Sequence, residues 1–394
     1  MLYNHYMLIL GFKTELKVNN KQRRLLAQHA GTARHAYNQG LALCKQVLNH
    51  NRANPDDKIK FPSAIDLHKW LVASIKVSCP WYYQVSKCVG QYALRNLSDA
   101  FKSFFKKVKG FPNFKKKGRN DSFTLDGSIH IDHCKVKVPV IGWVKTYERL
   151  PYGVKPKSVT ISRQAHSWFI SFKTEVEAIC TPKPIDFVGV DLGINHLATL
   201  STGQVFDGTK SYNRYENKLS RMQWLNRHKQ IGSANHTKAT LKVARLHQKI
   251  ANVRKDTLHK ITTHISKNHT VIGIEDLNVS GMMANRKLAK AIADMGFYEF
   301  RRQLEYKSQL YGSKLVIVNR FFPSSKTCSN CGIKKESLSL KERVFKCEHC
   351  FFECDRDLNA SVNLKQAARS VVSACGLDSA DTSRLKQEEN VSNC

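Results

Sequence analysis

The stretch VGVDLGINHLATLS, residues 188–201, is predicted to form an apolar strand that ends at Asp191 and continues into a hairpin. A second apolar stretch, TVIGIEDLNVSGM at 270–282, is predicted to end its strand at Glu275. In CDRDLNASVNL, residues 354–364, Asp357 opens a predicted helix. Because the carboxyl ends of adjacent parallel strands meet at one edge of an open α/β sheet, Asp191 and Glu275 are expected to meet there. Asp357 would close the site from the helix.

The order of predicted elements around these acids is strand, hairpin, helices, strand, helix, strand, helix. This order is typical of a ribonuclease-H-like (RuvC-like) α/β nuclease domain. Three carboxylates in one place repel one another, and hard oxygen ligands favour Mg²⁺ or Mn²⁺. Two such ions about 4 Å apart can activate a water and stabilise the leaving oxygen of a phosphodiester. The pattern therefore predicts metal-dependent cutting of nucleic acid without a side-chain nucleophile.

Each acid also has a plainer interpretation. Asp191 precedes Gly193 and could form a turn. Glu275 could be a surface carboxylate beside Asp276, since alternation along a strand places only one of the two on the site face. Asp357 could cap its helix, and Asp355 competes with it for either role.

Four of the twelve cysteines have the spacing of a metal site. Cys328-x2-Cys331 and Cys347-x2-Cys350 together predict a four-thiolate zinc ribbon at 324–352, and full thiolate coordination makes such a zinc structural. His349 and Cys354 lie nearby as spare ligands. Because no secretory signal is recognised, we expect a reducing compartment and no disulfide framework. The other cysteines are expected to be buried or incidental thiols, namely Cys44, Cys79, Cys88, Cys134, Cys180, Cys354, Cys375 and Cys394.

The chain is strongly basic, with 64 Lys and Arg against 31 Asp and Glu, a formal net charge of +33. This excess predicts a polyanionic partner, with nucleic acid as first candidate and an anionic membrane surface as second. No apolar run approaches the length of a membrane span, so no membrane partner is expected. We expect a cytoplasmic protein.

Two basic segments are candidate nucleic-acid contacts. Residues 101–120 carry eight Lys or Arg and no acid, interleaved with phenylalanines, and residues 210–260 carry thirteen Lys or Arg against two acids. Lysines can neutralise phosphates while bases stack on rings. Both segments could equally be solvated faces. The nominated contact residues are Lys106, Lys107, Lys109, Lys115, Lys116, Lys117 and Arg119.

The remaining pattern predicts a multidomain α+β protein. A strand at 7–18 precedes helices at 21–50, 64–77 and 84–109, and short alternating strands fill 122–178. We expect the first strand to join these later strands in a small β-barrel or sandwich, so that the helices form an insert. Further along the chain, a helical hairpin breaking at 231–233, a helix at 294–311 and a strand at 314–319 are predicted. The predicted domains are a barrel at 1–19 and 120–182, a helical insert at 20–119, a nuclease domain at 183–323 and 353–375, the ribbon, and a disordered tail at 376–394.

Several of these motifs together resemble the OrfB/TnpB proteins of bacterial insertion sequences, the compact relatives of type V CRISPR effectors. The similar segments are GVDLGINHLATLS, IGIEDLNVSGM, PSSKTCSNCG, DRDLNASVNL, RHAYNQGLAL and GFPNFKKKGRNDSF, and they span about residues 5–365. The resemblance implies an RNA-guided DNA endonuclease with a wedge-like barrel, a helical recognition insert, a RuvC-like domain and an embedded zinc ribbon. It carries the catalytic roles onto Asp191, Glu275 and Asp357.

The resemblance also implies a bacterial, nucleoid-associated protein with several partners. These are a guide RNA from the transposon end, a double-stranded DNA target beside a short adjacent motif, and a separate transposase encoded by the same element. Sequence would be read mainly by pairing with the guide. Two alternatives stay open at this point: a transposase that joins strands with the same acids, and a guided repressor that binds DNA without cutting it.

Overall fold

The computed structural model describes residues 7–179, 181–339 and 342–374. The predicted disordered tail at 376–394, together with Cys180, Cys375 and Cys394, lies outside the described residues. The chain divides into two compact units, one of Ile9–Val176 and the other of Glu177–Cys394 with Met1–Leu8. The fold is mixed α+β, as predicted.

The first unit contains a seven-stranded sheet. Its strands are β1 Met7–Lys17, β2 Ser122–Asp126, β3 His130–Asp132, β4 Lys135–Val138, β5 Gly142–Thr146, β6 Ser158–Gln164 and β7 Ser167–Glu177. In this sheet the pairs β1–β5, β2–β6, β3–β4, β4–β5 and β6–β7 are antiparallel. The order across the sheet is β2-β6-β7-β1-β5-β4-β3. The first strand therefore does lie among the later ones. Within the described residues β2 and β3 end the sheet without pairing with each other, so closure into a barrel stays a prediction.

The first helix between β1 and β2 begins with a capping box formed by Asn19 and Gln22. Asn19 caps α1 by accepting from the Gln22 amide at 2.8 Å, while the Gln22 side chain accepts from the Asn19 amide. The helices are α1 Asn20–Ala53, α2 Ala64–Trp70, α3 Lys76–Ser78 and α4 Cys88–Phe105, with a π turn at Leu71–Ile75 and a 3₁₀ turn at Pro80–Gln84. The helix predicted at 84–109 is α4, and its predicted boundaries were wrong by four residues at each end. The chain makes a separate turn after Pro80, and the backbone of Lys107 leaves the helix with a φ of 57°.

The second unit is built on a five-stranded sheet in the order β10-β9-β8-β11-β12. Its strands are β8 Ile185–Asp191, β9 Ala198–Leu200, β10 Val205–Phe206, β11 His269–Glu275 and β12 Lys314–Val318. β8, β11 and β12 are parallel, whereas β9 and β10 form the predicted antiparallel hairpin after β8. The helices are α5 Ser211–Arg227, α6 Ala234–Asn268, α7 Val279–Ala284, α8 Ala289–Met295, α9 Phe297–Tyr311 and α10 Arg356–Ala374.

Helices cover both faces of this sheet. On one face, Val188, Val190, Ile272 and Ile274 join a buried cluster with residues of α6 and α9. On the other face a smaller cluster packs the sheet against α10; its members are Phe187, Val271, Val316, Ala368 and Val372. Coverage on both sides explains why the strands read as apolar runs.

The predicted break of the helical hairpin at 231–233 is confirmed between α5 and α6. The helix predicted at 294–311 is confirmed as α9, which begins three residues later because Gly296, with a left-handed backbone and a φ of 74°, ends α8 and precedes α9. A two-stranded sheet of β13 Val344–Lys346 and β14 Glu353–Asp355 completes the unit. In the described residues no helix is both long and apolar enough to cross a membrane.

Candidate functional site

Asp191 and Glu275 are the last residues of two neighbouring parallel strands. β8 and β11 pair in register up to Val190 opposite Ile274, so the two acids occupy the next matched position. Neighbouring strands lie about 4.8 Å apart. The predicted meeting of these two acids at the carboxyl edge is therefore present.

Two glycines allow α10 to lie directly on these strands. A Cβ atom added to Gly189 would stand 1.8 Å from the Ser361 carbonyl oxygen, and one added to Gly273 would stand 2.7 Å from the Leu364 carbonyl oxygen. Each glycine lies two residues before an acid in the same strand, so glycine and acid face the same side. Asp191 and Glu275 therefore face α10. A glycine inside a strand is the usual signal of a close backbone approach, and it was overlooked in the sequence.

Asp357 lies in the first turn of α10, one turn before Ser361. A Cβ added to Gly193, which follows Asp191, would stand 3.9 Å from the Asp357 Oδ2 atom. The helix thus brings the third carboxylate to the edge where the other two strands end.

The charges of the three acids act on one another. The pKa of Asp191 is raised to about 7, first by burial and then by the negative charges of Asp357 and Glu275, with Arg356 acting in the opposite direction. Burial also raises the pKa of Glu275, and the charge of Asp276 adds to this. Among the described residues, no hydrogen bond or ion pair neutralises the Asp191 carboxylate.

Asp276, the other acid of the pair, is held by two arginines and not by this cluster. Its carboxylate accepts from the Arg301 Nη1 atom at 2.5 Å and from the Arg320 Nε atom at 3.1 Å. These two guanidinium groups lower the pKa of Asp276. Glu275 is left without a cationic partner among the described residues.

The acids fit a divalent cation by their chemistry. Their oxygens are hard donors, and the pKa of Asp191 is raised by burial and by the neighbouring carboxylates, an effect that a bound cation would oppose. Within the described residues, however, their ligand atoms do not all lie within 4.8 Å of one another, as the four cysteine sulfurs do.

An open groove of about 420 Å³ adjoins Glu275. Its lining combines apolar side chains such as Leu192 and Phe297 with Arg301 and Arg320. The guanidinium groups that hold Asp276 therefore also line the space in front of Glu275.

The four predicted metal-binding cysteines are together. All four sulfurs lie within 4.8 Å of one another, and the pairs Cys328–Cys350 and Cys331–Cys347 are each 3.6 Å apart. Tetrahedral zinc with Zn–S bonds of about 2.3 Å needs sulfur separations of about 3.8 Å. The arrangement can hold a metal ion, and Cys354 lies outside the set.

Two asparagines of α10 connect the cysteine ribbon to the helix that bears Asp357. The buried Asn359 side chain accepts from the Ser329 amide at 2.9 Å and donates to the Thr327 carbonyl at 2.7 Å. The buried Asn363 donates to the Ser324 carbonyl at 2.7 Å. Sequence reasoning missed both residues, although asparagine is an unusual choice for the buried face of a helix.

The nominated basic run is only partly free for contacts. Lys115 is half-buried, its Nζ lies 4.2 Å from the Tyr37 ring centroid, and burial lowers its pKa. Its main chain is also fixed by Asn38 through bonds of 2.8 and 3.0 Å. The remaining nominated residues are exposed, namely Lys106, Lys107, Lys109, Lys116, Lys117 and Arg119.

The interleaved phenylalanines mostly contact one another. Phe101 is buried, and Phe111 lies 5.5 Å from Phe101 and 5.1 Å from Phe104 by ring centroids. Phe105 and Phe114 remain exposed. The aromatic spacing that indicated base stacking therefore serves the core in part.

Three family models match the chain. "Probable transposase" (OrfB_IS605) matches residues 171–286, "Cas12f1-like, TNB domain" matches 297–364, and "Helix-turn-helix domain" matches 7–53. In the structure the last of these spans holds β1 and the single long helix α1.

Two of the relatives that cover most of the chain show its family. It is 34% identical to "Putative RNA-guided DNA endonuclease InsQ" of Escherichia coli (strain K12), with 96% of both chains covered. It is 40% identical to "Putative RNA-guided DNA endonuclease" of Streptomyces pristinaespiralis, with 74% of both chains covered. The protein therefore belongs to the OrfB/TnpB family, as its motifs predict.

The fold is also similar to that of a solved structure. The "Cas12f1-sgRNA-target DNA complex", solved by cryo-EM, matches with a TM-score of 0.51 at 15% identity, covering 88% of this chain and 83% of that chain. This likeness concerns the fold alone.

Proposed function

We propose that this protein is an RNA-guided, Mg²⁺-dependent DNA endonuclease of a transposable element, which hydrolyses DNA phosphodiesters beside a short adjacent motif. The observation that carries the proposal is the convergence of Asp191, Glu275 and Asp357 at one edge of the second sheet. The names of the full-length relatives support guidance by RNA and cutting of DNA.

In this proposal Asp191, Glu275 and Asp357 are the ligands of the catalytic cations. Mg²⁺ or Mn²⁺ bound there supplies Lewis-acid stabilisation of the charge that develops on the phosphodiester oxygens. Asp191 sits centrally, since both other acids raise its pKa. The arginines that neutralise Asp276 leave Glu275 as the acid that is free to act.

The domain plan follows the same proposal. Residues 183–323 and 353–375 form a RuvC-like nuclease domain, 324–352 a zinc ribbon, 1–19 and 120–182 a wedge-like barrel, and 20–119 a recognition insert. Zn²⁺ is the proposed occupant of the four-cysteine cluster. The guide RNA and the double-stranded DNA target are the proposed partners, with exposed residues from Lys106 to Arg119 among their contacts. A separate transposase has no support in these observations and is left out.

Plasmid cleavage tests the proposal. Protein purified with its bound RNA is mixed with Mg²⁺ and a plasmid that carries the matching target. We expect the Asp191→Asn variant to lose cleavage by at least about a hundredfold while RNA and target binding persist. Asp186→Asn is the matched control, because Asp186 is an exposed acid at the other end of the same strand.

The same assay separates the alternatives. A guided repressor would bind the target without cutting it in the unaltered protein, and a strand-transfer enzyme would yield joined products that depend on Asp191. Cleavage that persists in Asp191→Asn would remove the proposed site. Absence of any discrete bound RNA would remove guidance.

A further inference from the structure

The helical segment 64–78 of the first unit presents apolar side chains to solvent. Ile65 of α2 and Val72 of the π turn lie about two helical turns apart, and both are exposed. Val77 of α3 is the third member, and it is 72% exposed. Single exposed apolar residues are normal on a protein surface, whereas several along one helix form a patch.

The π turn brings Val77 into line with Val72. The Lys76 amide donates to the Leu71 carbonyl, five residues back, where an α-helix would use the carbonyl four residues back. In an uninterrupted α-helix, Val77 would point about 140° away from Val72 around the axis. The wider π turn reduces this angle and leaves both valines exposed. Such turns are rare, and they occur frequently at functional sites.

Two aromatic rings extend the patch beyond Val77. Tyr83 is exposed, and the Lys76 Nζ atom lies 5.6 Å from its ring centroid, so the ring lies beside α3. The partly exposed Trp81 ring is stacked on the buried Tyr82 at a centroid distance of 4.5 Å. We call this surface the apolar row; its members are Ile65, Val72, Val77, Trp81 and Tyr83.

The surroundings of the apolar row are nearly neutral. Residues 63–84 contain two lysines and one aspartate, in a chain with a formal net charge of +33. Nucleic acid binds where many Lys and Arg side chains neutralise phosphates, so this surface is a poor match for it. An exposed apolar patch with a polar rim is typical of a contact with another protein surface.

The order of charges along the apolar row favours a second copy of this chain as that surface. Asp66 follows Ile65 at one end, and Lys76 precedes Val77 at the other. When two copies are related by a two-fold axis near Leu71, their rows run antiparallel. Ile65 then meets Val77 of the second copy. Asp66 meets Lys76 of the second copy, so that the same apolar contact and the same ion pair form at both ends.

We propose that the apolar row is the interface of a homodimer, in which two copies pack antiparallel about this two-fold axis. Five partly exposed side chains supply less than the roughly 800 Å² per partner that a standard interface buries. We therefore expect a reversible dimer with a dissociation constant on the order of 10 μM. The inference goes beyond the proposed nuclease function, since the interface uses neither the three acids nor nucleic acid.

Sedimentation equilibrium of the full-length protein, freed of nucleic acid at high salt, tests the interface. Val77→Asp should weaken self-association at least about tenfold, because the contact would bury a charge. Val108→Asp is the matched control, since Val108 is a valine of the same unit that is 70% exposed and lies outside the apolar row. The control should associate as the unaltered protein does. Equal weakening in both variants, or absence of a dimer of the unaltered protein at about 100 μM, would overturn the proposal.

The effect of salt distinguishes this dimer from two copies that are bridged by residual nucleic acid. Two strongly basic chains repel each other, and salt screens the repulsion, so association should strengthen from about 0.1 M to about 0.5 M NaCl. Bridging by nucleic acid would weaken over the same range, because phosphate contacts are lost as salt rises. Weakening of the association would therefore contradict the proposed interface.

Charge reversal tests the antiparallel arrangement. Asp66→Lys and Lys76→Asp each place like charges at both ends of a homodimer, so each variant alone should associate less than the unaltered protein. An equimolar mixture restores opposite charges at both ends, and the mixed dimer should be at least about threefold tighter than either variant's own dimer. Energy transfer between two fluorescent labels measures the mixed dimer. A variant that had only lost the contact of Asp66 with the Ser63 amide would gain nothing from mixing, and that result would overturn the two-fold arrangement.

Discussion

The main-chain amide of Asp357 donates a hydrogen bond of 2.9 Å to the Asp355 carboxylate, which also accepts from the Leu358 amide at 3.0 Å. Asp355 is thus the residue that caps α10, and the Asp357 side chain is free to face Asp191. Of the two roles that the sequence left open between these acids, helix capping therefore falls to Asp355.

This division predicts unequal effects of substitution at Asp355. Asp355→Ala should destabilise the start of α10 by about 1 kcal/mol and slow target cleavage, because the first turn would no longer be fixed. Asp355→Asn should behave nearly like the unaltered protein, since asparagine caps helices equally well. Cleavage rates of both variants at saturating target check this. Equal loss in the two would indicate that the Asp355 charge itself takes part in the chemistry.

Gly189 should tolerate no side chain. A Cβ there would stand 1.8 Å from the Ser361 carbonyl and 2.5 Å from the Lys365 amide nitrogen, so α10 would have to move away from β8. We expect Gly189→Ala to lose cleavage and to lower the unfolding free energy of this unit by at least about 3 kcal/mol. Gly11→Ala is the control, because Gly11 is also in a strand and has no atom within 4 Å of the added Cβ. Thermal unfolding and plasmid cleavage give the two readouts.

Each cysteine pair of the ribbon is followed by one residue with a left-handed backbone. Substitutions at these two positions should change the rate of metal release in opposite directions. Gly332, after Cys331, has a φ of 77°, and Phe351, at the matching place after Cys350, has a φ of 57°. A left-handed backbone costs a non-glycine residue about 1–2 kcal/mol. Phe351→Gly should therefore slow transfer of the bound metal to a chelator, and Gly332→Ala should speed it. If both changes speed the transfer, the Phe351 side chain, which is 86% exposed, stabilises the ribbon in some other way.

The metal content of cysteine variants should distinguish the cysteines that bind the metal from the one that only lies beside it. Cys350→Ser should lose the bound metal, since its sulfur lies in the group of four. Cys354→Ser should keep it, because that thiol lies outside the group and packs beside it. Elemental analysis of the purified variants measures this directly. Retention in Cys350→Ser would require a substitute ligand such as His349.

Lys307 should make the free energy of unfolding depend on pH in the alkaline range. Burial lowers its pKa to about 8, although its Nζ donates to the His259 carbonyl at 2.7 Å and to the Thr262 hydroxyl at 2.8 Å. Between pH 8 and the ordinary lysine value of 10.5, the unfolded chain holds a proton that the folded one has lost. The unfolding free energy should therefore rise with pH in that window and stay flat below it.

The comparison of the unaltered protein with Lys307→Met isolates this effect from the other titrating groups. Urea unfolding at pH 7, 8, 9 and 10 should give a stability difference between the two proteins that changes between pH 8 and 10 in favour of the unaltered protein. A constant difference would mean that Lys307 keeps its proton when buried.

The sequence predicted the second sheet better than the first. The apolar runs that end at Asp191 and Glu275 are buried on both faces, so their strands and their shared edge followed from composition alone. The spacing of the cysteine pairs likewise predicted the cluster of four sulfurs directly. The closure of the first sheet into a barrel stays a prediction, because alternation defines the faces of strands and says nothing about whether the two end strands meet.

Local backbone features account for most of the errors. The break at Gly296 and the early end of α4 depend on single left-handed residues, Gly296 and Lys107, inside otherwise helical patterns. The contact of α10 with Gly189 and Gly273 depends on tertiary packing that no single segment encodes. The phenylalanines of residues 101–120 show the same limit, since a ring that could stack on a base can equally well pack on its neighbour.

The asparagine bonds from α10 to the cysteine ribbon couple the state of the ribbon to the position of the helix that bears Asp357. Chelation or oxidation of the ribbon would release the carbonyls of Ser324 and Thr327 that Asn359 and Asn363 hold, two helical turns or less from Asp357. Loss of the metal from the cysteine ribbon would thus disturb the position of Asp357, because the same helix carries Asn359, Asn363 and Asp357. Under the proposed function, oxidation or zinc limitation would thereby lower the rate of target cleavage without any change in the guide RNA.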